Sequence, residues 1–155
     1  MWNPGYGDFT YHGRDNDRAA IEVNGLVTLG DIGYLDEDDF LYLCGRSKDM
    51  IISGGVNIYP AEIEAALYEH PLILDVAVFG VPDDEWGERI HAVVQPKAGE
   101  AIDLDELRAF AGERLARYMQ PREYEVRDEL PRTDSGKLLK RLLRDEHWRD
   151  RDRAV

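Results

Sequence analysis

The chain has 155 residues, enough for one domain or for one compact domain with a strip of a neighbour. Hydrophobic residues make up 43% and charged residues 33% of the sequence, a balance that indicates a folded protein and excludes general disorder. The 19 Lys and Arg against 32 Asp and Glu give a formal net charge of −13, so most of the surface would repel a phosphate polymer. Nucleic acid is therefore not an expected partner, whereas a single nucleotide is still possible because local groups in a cleft decide its binding.

Targeting and redox signals are weak. No apolar run is long enough to cross a membrane, and the N-terminus lacks the basic and apolar regions of a signal peptide. The lone cysteine, Cys44, cannot form an internal disulfide and lies in an apolar stretch. We therefore expect a cytoplasmic protein without a membrane span.

The first part of the chain predicts loops and a small β structure. Residues 1–25 are rich in Gly, Asp, Asn and aromatic side chains, and only a short helix over 17–22 is predicted there. From Leu26 onward, short apolar pieces flank an acidic turn over 36–39, which predicts a β-hairpin or small meander. Asp39 lies in this turn, and Asp accepts a left-handed turn conformation better than most residues. A polar run breaks the pattern over 46–49, where we expect a domain boundary.

Strands and helices alternate beyond that boundary. Apolar and β-branched runs predict strands over 50–53, 76–81, 90–94 and 124–126. Helices are expected to begin at Pro60, after a capping Asp103, and at Lys137, the last of them running to residue 148. The predicted fold class is α+β, a small mixed sheet flanked by helices and preceded by a β-hairpin or meander strip.

Two polar residues flank the predicted hairpin. Asp31 follows a glycine at the end of an apolar strand, and its carboxylate could accept two hydrogen bonds from a vicinal diol such as a ribose. A turn residue that satisfies its own backbone explains an isolated Gly-Asp pair equally well. Arg46 offers a fixed fork of donors suited to phosphate or to ribose oxygens.

Two later loops carry further candidate residues. The adjacent Gly54 and Gly55 would let a backbone approach a ligand closely, or would form an ordinary tight turn between a strand and a helix. Lys137 follows a Ser-Gly turn, and its ammonium group could neutralise a carboxylate and the phosphate that it attacks. The alternative is a solvated lysine beside a turn. Lys140, three residues further along the same predicted helix, is expected to be a solvated or phosphate-steering charge.

In this order, these stretches resemble the adenylate-forming superfamily of acyl- and aryl-CoA synthetases, luciferases and peptide-synthetase adenylation domains. The resemblance runs over about residues 9–144. It implies that Asp31 holds the ribose of ATP, that Arg46 contacts the nucleotide, and that Lys48 is the hinge of a mobile C-terminal domain. It also implies that Lys137 is the catalytic lysine of the adenylation step.

The resemblance also implies a site for the acceptor thiol. Gly54 and Gly55 would line a passage for a pantetheine arm once the lysine loop has moved away, and Trp86 matches a position near the CoA nucleotide. An exposed tryptophan packing on its own domain explains Trp86 equally well. Met119 stands where a lysine is common, which weakens the expectation of a CoA-phosphate contact there. No metal site is expected in this chain.

The implied organisation has three parts. Residues 1–47 would be the C-terminal edge of an N-terminal adenylation domain, residues 48–150 the mobile C-terminal domain, and residues 151–155 a tail. The chain would be the C-terminal part, inactive alone, of an acid–CoA ligase that activates a carboxylic acid as acyl-AMP and transfers it to CoA. A fatty or related hydrophobic acid is the expected substrate.

The expected partners are the missing N-terminal domain, the acid and CoA. ATP, Mg²⁺ and CoA are expected to serve the complete enzyme, with none of them tightly bound to this chain. Two alternatives are open: a non-catalytic docking module for a CoA or acyl-carrier partner, and part of an adenylating ligase that loads a carrier protein. The docking module would have no need of Asp31 or Lys137.

Overall fold

The computed structural model describes residues 21–23, 26–149 and 151. The chain divides into two compact units, Met1–Lys48 and Asp49–Val155.

The first unit contains two antiparallel strand pairs. Strand β1 (Glu22–Val23) pairs with β2 (Leu26–Val27), and β3 (Asp31–Leu35) pairs with β4 (Leu41–Arg46). The second pair confirms the predicted hairpin. Most of the helix predicted over 17–22 lies outside the described residues, and its last residue, Glu22, belongs to a strand instead.

The acidic turn of this hairpin is held by its first residue. The Asp36 carboxylate accepts hydrogen bonds from the backbone N–H groups of Asp38 and Phe40, at 3.0 and 2.9 Å. Asp39 has φ +64°, so the left-handed conformation predicted from the sequence is confirmed. A carboxylate that bonds the backbone two residues on is what makes Asp a frequent turn former.

The second unit is built on a five-stranded mixed sheet in which β8 is central. Its strands are β5 (Ile51–Ser53), β6 (Val56–Ile58), β7 (Ile73–Asp83), β8 (Gly87–Pro96) and β9 (Glu123–Val126). The order is β6-β5-β8-β7, and β9 runs parallel to β8 while the other neighbours are antiparallel. This arrangement confirms the predicted mixed sheet.

Two features of the sheet differ from the prediction. Strands β7 and β8 are longer than expected, because their ladder continues through Asp83 and Gly87 and leaves a connection of three residues. Strand β6 was not predicted at all. Gly54 and Gly55 do not join a strand to a helix, as the sequence suggested, but turn β5 back into β6 with Ser53 paired to Val56.

Three helices cover the sheet. They are α1 (Pro60–Tyr68), α2 (Leu104–Arg114) and α3 (Lys140–His147). The Asp103 carboxylate accepts from the backbone N–H groups of Asp105 and Glu106, which confirms the predicted cap. Helix α3 begins three residues later than predicted.

The helices lie on both faces of the sheet because the side chains of β7 alternate. Val76 and Val78 pack with residues of α1 and α2, including Ile63, Leu67 and Leu107. The intervening side chains of β7 face the other way and pack against α3, in a cluster of Ala77, Phe79, Val81, Val93, Leu130 and Leu143. None of the helices in the described ranges is long and apolar enough to cross a bilayer.

Candidate functional site

The two residues predicted to bind nucleotide lie opposite each other in the first unit. The register of β3 and β4 pairs Asp31 with Arg46. The Nε atom of Arg46 is 3.3 Å from Oδ1 of Asp31, and the side chains are 48% and 39% exposed. An ion pair this exposed contributes little to stability. A ligand could therefore replace it at little cost in free energy.

The predicted hinge residue, Lys48, closes the first unit. It lies in a short 3-10 turn, Ser47–Asp49, that follows β4. The division between the two compact units falls directly after it. The role of Lys48 as a pivot stays a prediction.

Gly54 and Trp86 meet at a cleft in the second unit, here called the Trp86 cleft. The backbone N–H of Gly54 donates to the carbonyl of Trp86 at 2.8 Å. A Cβ atom on Gly54 would lie 2.5 Å from Cε3 of the indole ring, so only glycine lets the ring approach this closely. A Cβ atom on Gly55 would have nothing within 4 Å, so the two glycines have different surroundings.

The Trp86 cleft has a volume of about 660 Å³ and combines apolar and cationic groups. The guanidinium group of Arg122 lies 5.0 Å from the centroid of the Trp86 ring, a cation–π geometry. The remaining wall comes from Ser53, Val56, Ile58, Ile90, Arg117, Tyr118, Gln120 and Pro121. Arg117, Tyr118 and Arg122 were not predicted as site residues. Their pattern, basic residues on either side of an aromatic residue just after a helix, is a signal that could have indicated a site for an anionic ligand.

Lys137 lies on the returning arm of a tight hairpin formed by residues 131–139, here called the lysine hairpin. The backbone N–H of Thr133 donates to the carbonyl of Lys137 at 2.8 Å, and that of Leu139 donates to Pro131 at 2.8 Å. Gly136 has φ +83°, which fits a type I turn followed by a left-handed residue. The hairpin holds 137–139 out of the helix, so the prediction that Lys137 begins α3 was wrong.

The ammonium group of Lys137 is available for chemistry. Its side chain is exposed, and no hydrogen bond or ion pair of that ammonium group is found with any described residue. Its backbone N–H is fixed by a hydrogen bond to Oγ1 of Thr133 at 3.0 Å. A free cation therefore stands on a well-held backbone.

Lys140 was predicted to be a solvated or phosphate-steering charge, but its ammonium group is paired with a carboxylate. Its Nζ atom lies 2.7 Å from Oε2 of Glu64, a side chain only 13% exposed. Oε1 of Glu64 also accepts from the backbone N–H of Val78 at 2.7 Å. Burial raises the pKa of Glu64, and the nearby Lys140 acts in the opposite direction.

A second group of ionisable residues lies between β8, β9 and α3. Potential metal-ligating atoms of His91, Glu125 and His147 lie within 4.8 Å of one another, although no metal site was expected. Both ring nitrogens of His91 already face carboxylates, Nδ1 at 3.2 Å from Glu123 and Nε2 at 3.4 Å from Glu125. These hydrogen bonds explain why the three side chains lie close together, so we assign no metal to the cluster.

Comparison with known proteins gives a consistent set of matches. Residues 62–137 match the family model described as the AMP-binding enzyme C-terminal domain. The long-chain-fatty-acid–CoA ligase of Bacillus subtilis (strain 168) is 48% identical over 136 residues, which is 88% of this chain and 24% of that protein. The fatty acid–[acyl-carrier-protein] ligase ScoC of Streptomyces coeruleorubidus is 41% identical over 145 residues, 94% of this chain and 28% of that protein.

A solved structure agrees with these relatives. The o-succinylbenzoate CoA synthetase of Bacillus subtilis, in complex with its acyl-adenylate intermediate, matches with a TM-score of 0.79 and 42% identity. The match covers 88% of this chain and 28% of that chain, so this chain spans about a quarter of the length of the proteins it matches. The resemblance identified from the sequence motifs is confirmed, and residues 62–137 match the AMP-binding enzyme C-terminal domain family.

Proposed function

We propose that this chain is the C-terminal part of an AMP-forming acid–CoA ligase that acts in the cytoplasm. It would work with an N-terminal adenylation domain. Residues 1–47 would form the C-terminal edge of that domain, and residues 48–150 would form a mobile C-terminal domain. The observation that carries the proposal is the exposed ammonium group of Lys137 on the lysine hairpin. The family match supports it.

In the first half-reaction, a carboxylate oxygen of the acid attacks the α-phosphorus of ATP. The bond from that phosphorus to the β-phosphate oxygen breaks, and pyrophosphate leaves with both electrons of the bond. Two anions meet in this step, so a cation that approaches both lowers the barrier. Lys137 supplies that cation, while Asp31 accepts from the ribose hydroxyls and Arg46 contacts the nucleotide. Mg²⁺ accompanies ATP as part of that substrate.

In the second half-reaction, the thiolate of CoA attacks the acyl carbon and AMP leaves. Gly54 and Gly55 line the passage for the pantetheine arm, with Trp86 beside it. Rotation about Lys48 moves the lysine hairpin away from the reacting groups and brings this passage to them. The cleft supports such a role, because a wall that contains an aromatic ring and two guanidinium groups suits a ligand with a base and phosphates.

The acid is proposed to be fatty or of a related hydrophobic kind, since two of the relatives are named for fatty acids. A second candidate acceptor is a carrier protein, because one of those relatives is named as a ligase for an acyl-carrier protein. The cationic Trp86 cleft favours CoA, whose nucleotide carries phosphates that a carrier-bound pantetheine lacks. No feature of the described residues favours the docking module.

The test is to assay the complete ligase, meaning this chain joined to its adenylation domain, for each half-reaction. We expect acid-dependent exchange of pyrophosphate into ATP with hydrophobic acids, and faster acyl transfer to CoA than to a carrier protein. The 155-residue chain alone is the control and should give no exchange. Exchange by the chain alone, or its absence from the complete ligase with every acid, would refute the proposal.

A further inference from the structure

The position of the Lys137 ammonium group depends on the backbone that carries it. No side-chain partner among the described residues orients it, so its reach is set by the lysine hairpin and by where that hairpin sits on the domain. A four-carbon stem has many rotamers, and a backbone that also moved would spread the charge over a larger volume. The groups that fix the hairpin lie at both of its ends.

The first anchor joins Arg132 to a buried acid. One arm of the guanidinium group, Nη1, donates to the carbonyl of Gly136 at 2.8 Å, directly before Lys137. The other arm, Nη2, forms an ion pair with Asp75. Asp75 is 4% exposed and also accepts from the backbone N–H of Val76 and from the hydroxyl of Tyr68. Because a buried carboxylate needs all its donors, Asp75 is a fixed point from which Arg132 reaches the hairpin.

The second anchor holds the other end of the hairpin. Lys140 is the first residue of α3, and its ammonium group pairs with the largely buried Glu64 of α1. The hydrogen bond from the backbone N–H of Val78 ties the same carboxylate to β7. Helix α3 is also fixed at its far end, where Nε1 of Trp148 donates to the carbonyl of Gly80 at 2.9 Å.

We propose that Arg132 and Lys140 are positioning residues for Lys137, which they hold between the buried carboxylates of Asp75 and Glu64. This inference rests on the proposed role of Lys137 in adenylation and adds two residues to it. Anchoring from both sides would keep the cation where negative charge develops without reorganisation during the reaction. An arginine suits position 132 because its rigid fork reaches a carboxylate and a carbonyl at the same time, which a single ammonium group does not.

Arg132→Lys tests the first anchor most cleanly, because the positive charge beside Asp75 is retained while the bridge to Gly136 is lost. In the complete ligase, acyl-AMP formation should slow by about 10- to 100-fold, the range expected for a small misplacement of a catalytic group. Thioester formation from supplied acyl-AMP should stay within about twofold, a difference of well under one decade. Hydrogen exchange of the Gly136 and Lys137 amides should become faster.

Arg141→Lys is the matched control. Arg141 is on the same helix as Lys140, its side chain is 71% exposed, and it pairs only weakly with Asp145 at 3.4 Å. The same substitution there should change neither half-reaction nor the exchange of the hairpin amides. Asp75→Asn is the second variant, since it keeps the shape of the buried group and should reproduce the adenylation defect of Arg132→Lys.

The outcomes separate this inference from the proposed function. If a folded Arg132→Lys protein adenylates at the normal rate while Lys137→Ala does not, the positioning role is refuted and the role of Lys137 stands. If both half-reactions fall alike, Arg132 has a general structural role and the inference is wrong. If Lys137→Ala itself adenylates normally, the proposed function fails, and unchanged amide exchange in Arg132→Lys would refute the anchor as well.

Discussion

The two tight turns of the second unit, the Gly54–Gly55 turn and the lysine hairpin, are built from different interactions. The first has no charged side chain in its turn and is held by strand pairing and by contact with the Trp86 ring. The second carries a free cation and is held by two ion pairs to buried carboxylates. Both are short and both depend on glycines with positive φ.

The difference follows from what each loop presents. A turn that lets a ligand pass close to its backbone needs small residues and no competing charge. A loop that presents a cation to developing negative charge must hold that cation in place, and buried acids at a distance do so without neutralising it. In the proposed ligase these are the needs of the two half-reactions, so each loop should affect one step.

Lys137→Ala should have the largest effect and should separate the rates of the two half-reactions most clearly. Removing one preorganised charged donor typically costs about 3 to 4 kcal/mol of transition-state stabilisation, or roughly 10²- to 10³-fold in rate. We expect acyl-AMP formation in the complete ligase to slow by that factor, measured in single turnover. Conversion of supplied acyl-AMP and CoA to thioester should change by only several-fold, because the lysine hairpin has then moved away.

The control for this variant must be a lysine-hairpin neighbour without a structural role. Lys140 is unsuitable because it pairs with Glu64, whereas Arg141→Ala removes an exposed charge one residue further on. An equal loss in both half-reactions for Lys137→Ala, with Arg141→Ala normal, would show that Lys137 is not specific to adenylation.

Lys140→Ala should have the next largest effect, because it should lower stability in addition to slowing acyl-AMP formation through the loss of the second anchor. It leaves the Glu64 carboxylate buried with only the Val78 N–H as donor. Breaking such a pair costs about 3 kcal/mol, at the low end of the usual range because Lys140 is 32% exposed. The free energy of unfolding in urea, measured for the chain itself, checks this value.

The double variant Lys140→Met, Glu64→Leu provides the comparison. Replacing both charges by apolar groups of similar size is often close to neutral, because no buried charge is left unpaired. Stability of Lys140→Ala equal to that of the unmodified chain would mean that Glu64 reaches water, which its 13% exposure argues against.

The sequence predicted the local parts of this structure and missed the distant ones. Pro60 and Asp103 marked two helix starts correctly, because capping depends on neighbouring residues. Asp39 was assigned its left-handed conformation for the same reason. The role of Lys140 was missed because its partner, Glu64, lies 76 residues away and no local pattern relates the two.

The two wrong predictions at the turns, for β6 and for the start of α3, concern residues that are close in sequence. Strand β6 is three residues long and follows a Gly-Gly pair that also suits a strand-to-helix turn, so its pairing with β5 had to be seen. The position of Lys137 was misjudged because Leu138 fits a helical period, yet it pairs with Arg132 in an antiparallel bridge. In both cases the pairing is local, across a tight turn, but the same apolar residues also fit the start of a helix.

Gly54→Ala should affect the other half-reaction by a smaller factor. The added methyl group would meet the Trp86 ring at 2.5 Å and would require φ +58° of an alanine. Displacement of the ring should slow thioester formation by about tenfold, equivalent to 1.4 kcal/mol, and leave acyl-AMP formation near normal. The rate of acyl transfer as a function of CoA concentration is the measurement.

Gly55→Ala is the matched comparison, since φ is +80° there and the methyl group would meet nothing within 4 Å. Both variants therefore carry similar backbone strain, and the difference between their rates reports the contact with Trp86. Identical rates for the two would mean that the indole position does not influence acyl transfer.

Lys48→Pro tests whether the two loops exchange places about the predicted pivot. Proline fixes φ near −65° and removes a donor, and that angle fits the 3-10 turn in which Lys48 lies. Rotation at a pivot requires the backbone angles of Lys48 to change, so fixing φ should slow the second half-reaction, which follows the rotation, several-fold more than the first. Lys48→Ala leaves the backbone free and should not separate the two rates. Equal losses for Lys48→Pro in both half-reactions would argue against a pivot at this residue.

The smallest expected effect concerns pH and the cluster of ionisable residues at the end of α3. Burial lowers the pKa of His147, and the neighbouring His91 acts in the same direction, while Glu125, Glu146 and Glu123 oppose it. The His147 ring lies 4.8 Å from the ring of His91 and 5.9 Å from that of Phe79, measured between centroids.

The sign of the effect follows from linkage. A histidine whose pKa is lower in the folded chain than its ordinary 6.5 binds more protons when unfolded, so stability is lost as pH falls through 6.5 toward the lower value. Burial lowers the pKa of His70 as well, so it contributes in the same window. His147→Gln should therefore flatten, without abolishing, the dependence of the unfolding free energy on pH between about 7 and 5.5. His147→Gln combined with His70→Gln should flatten it further, and urea titrations at a series of pH values would measure both slopes. A slope in His147→Gln as steep as that of the unmodified chain would mean that the pKa of His147 is the same in the folded and unfolded chain, so that the nearby carboxylates of Glu123 and Glu125 offset the effect of burial.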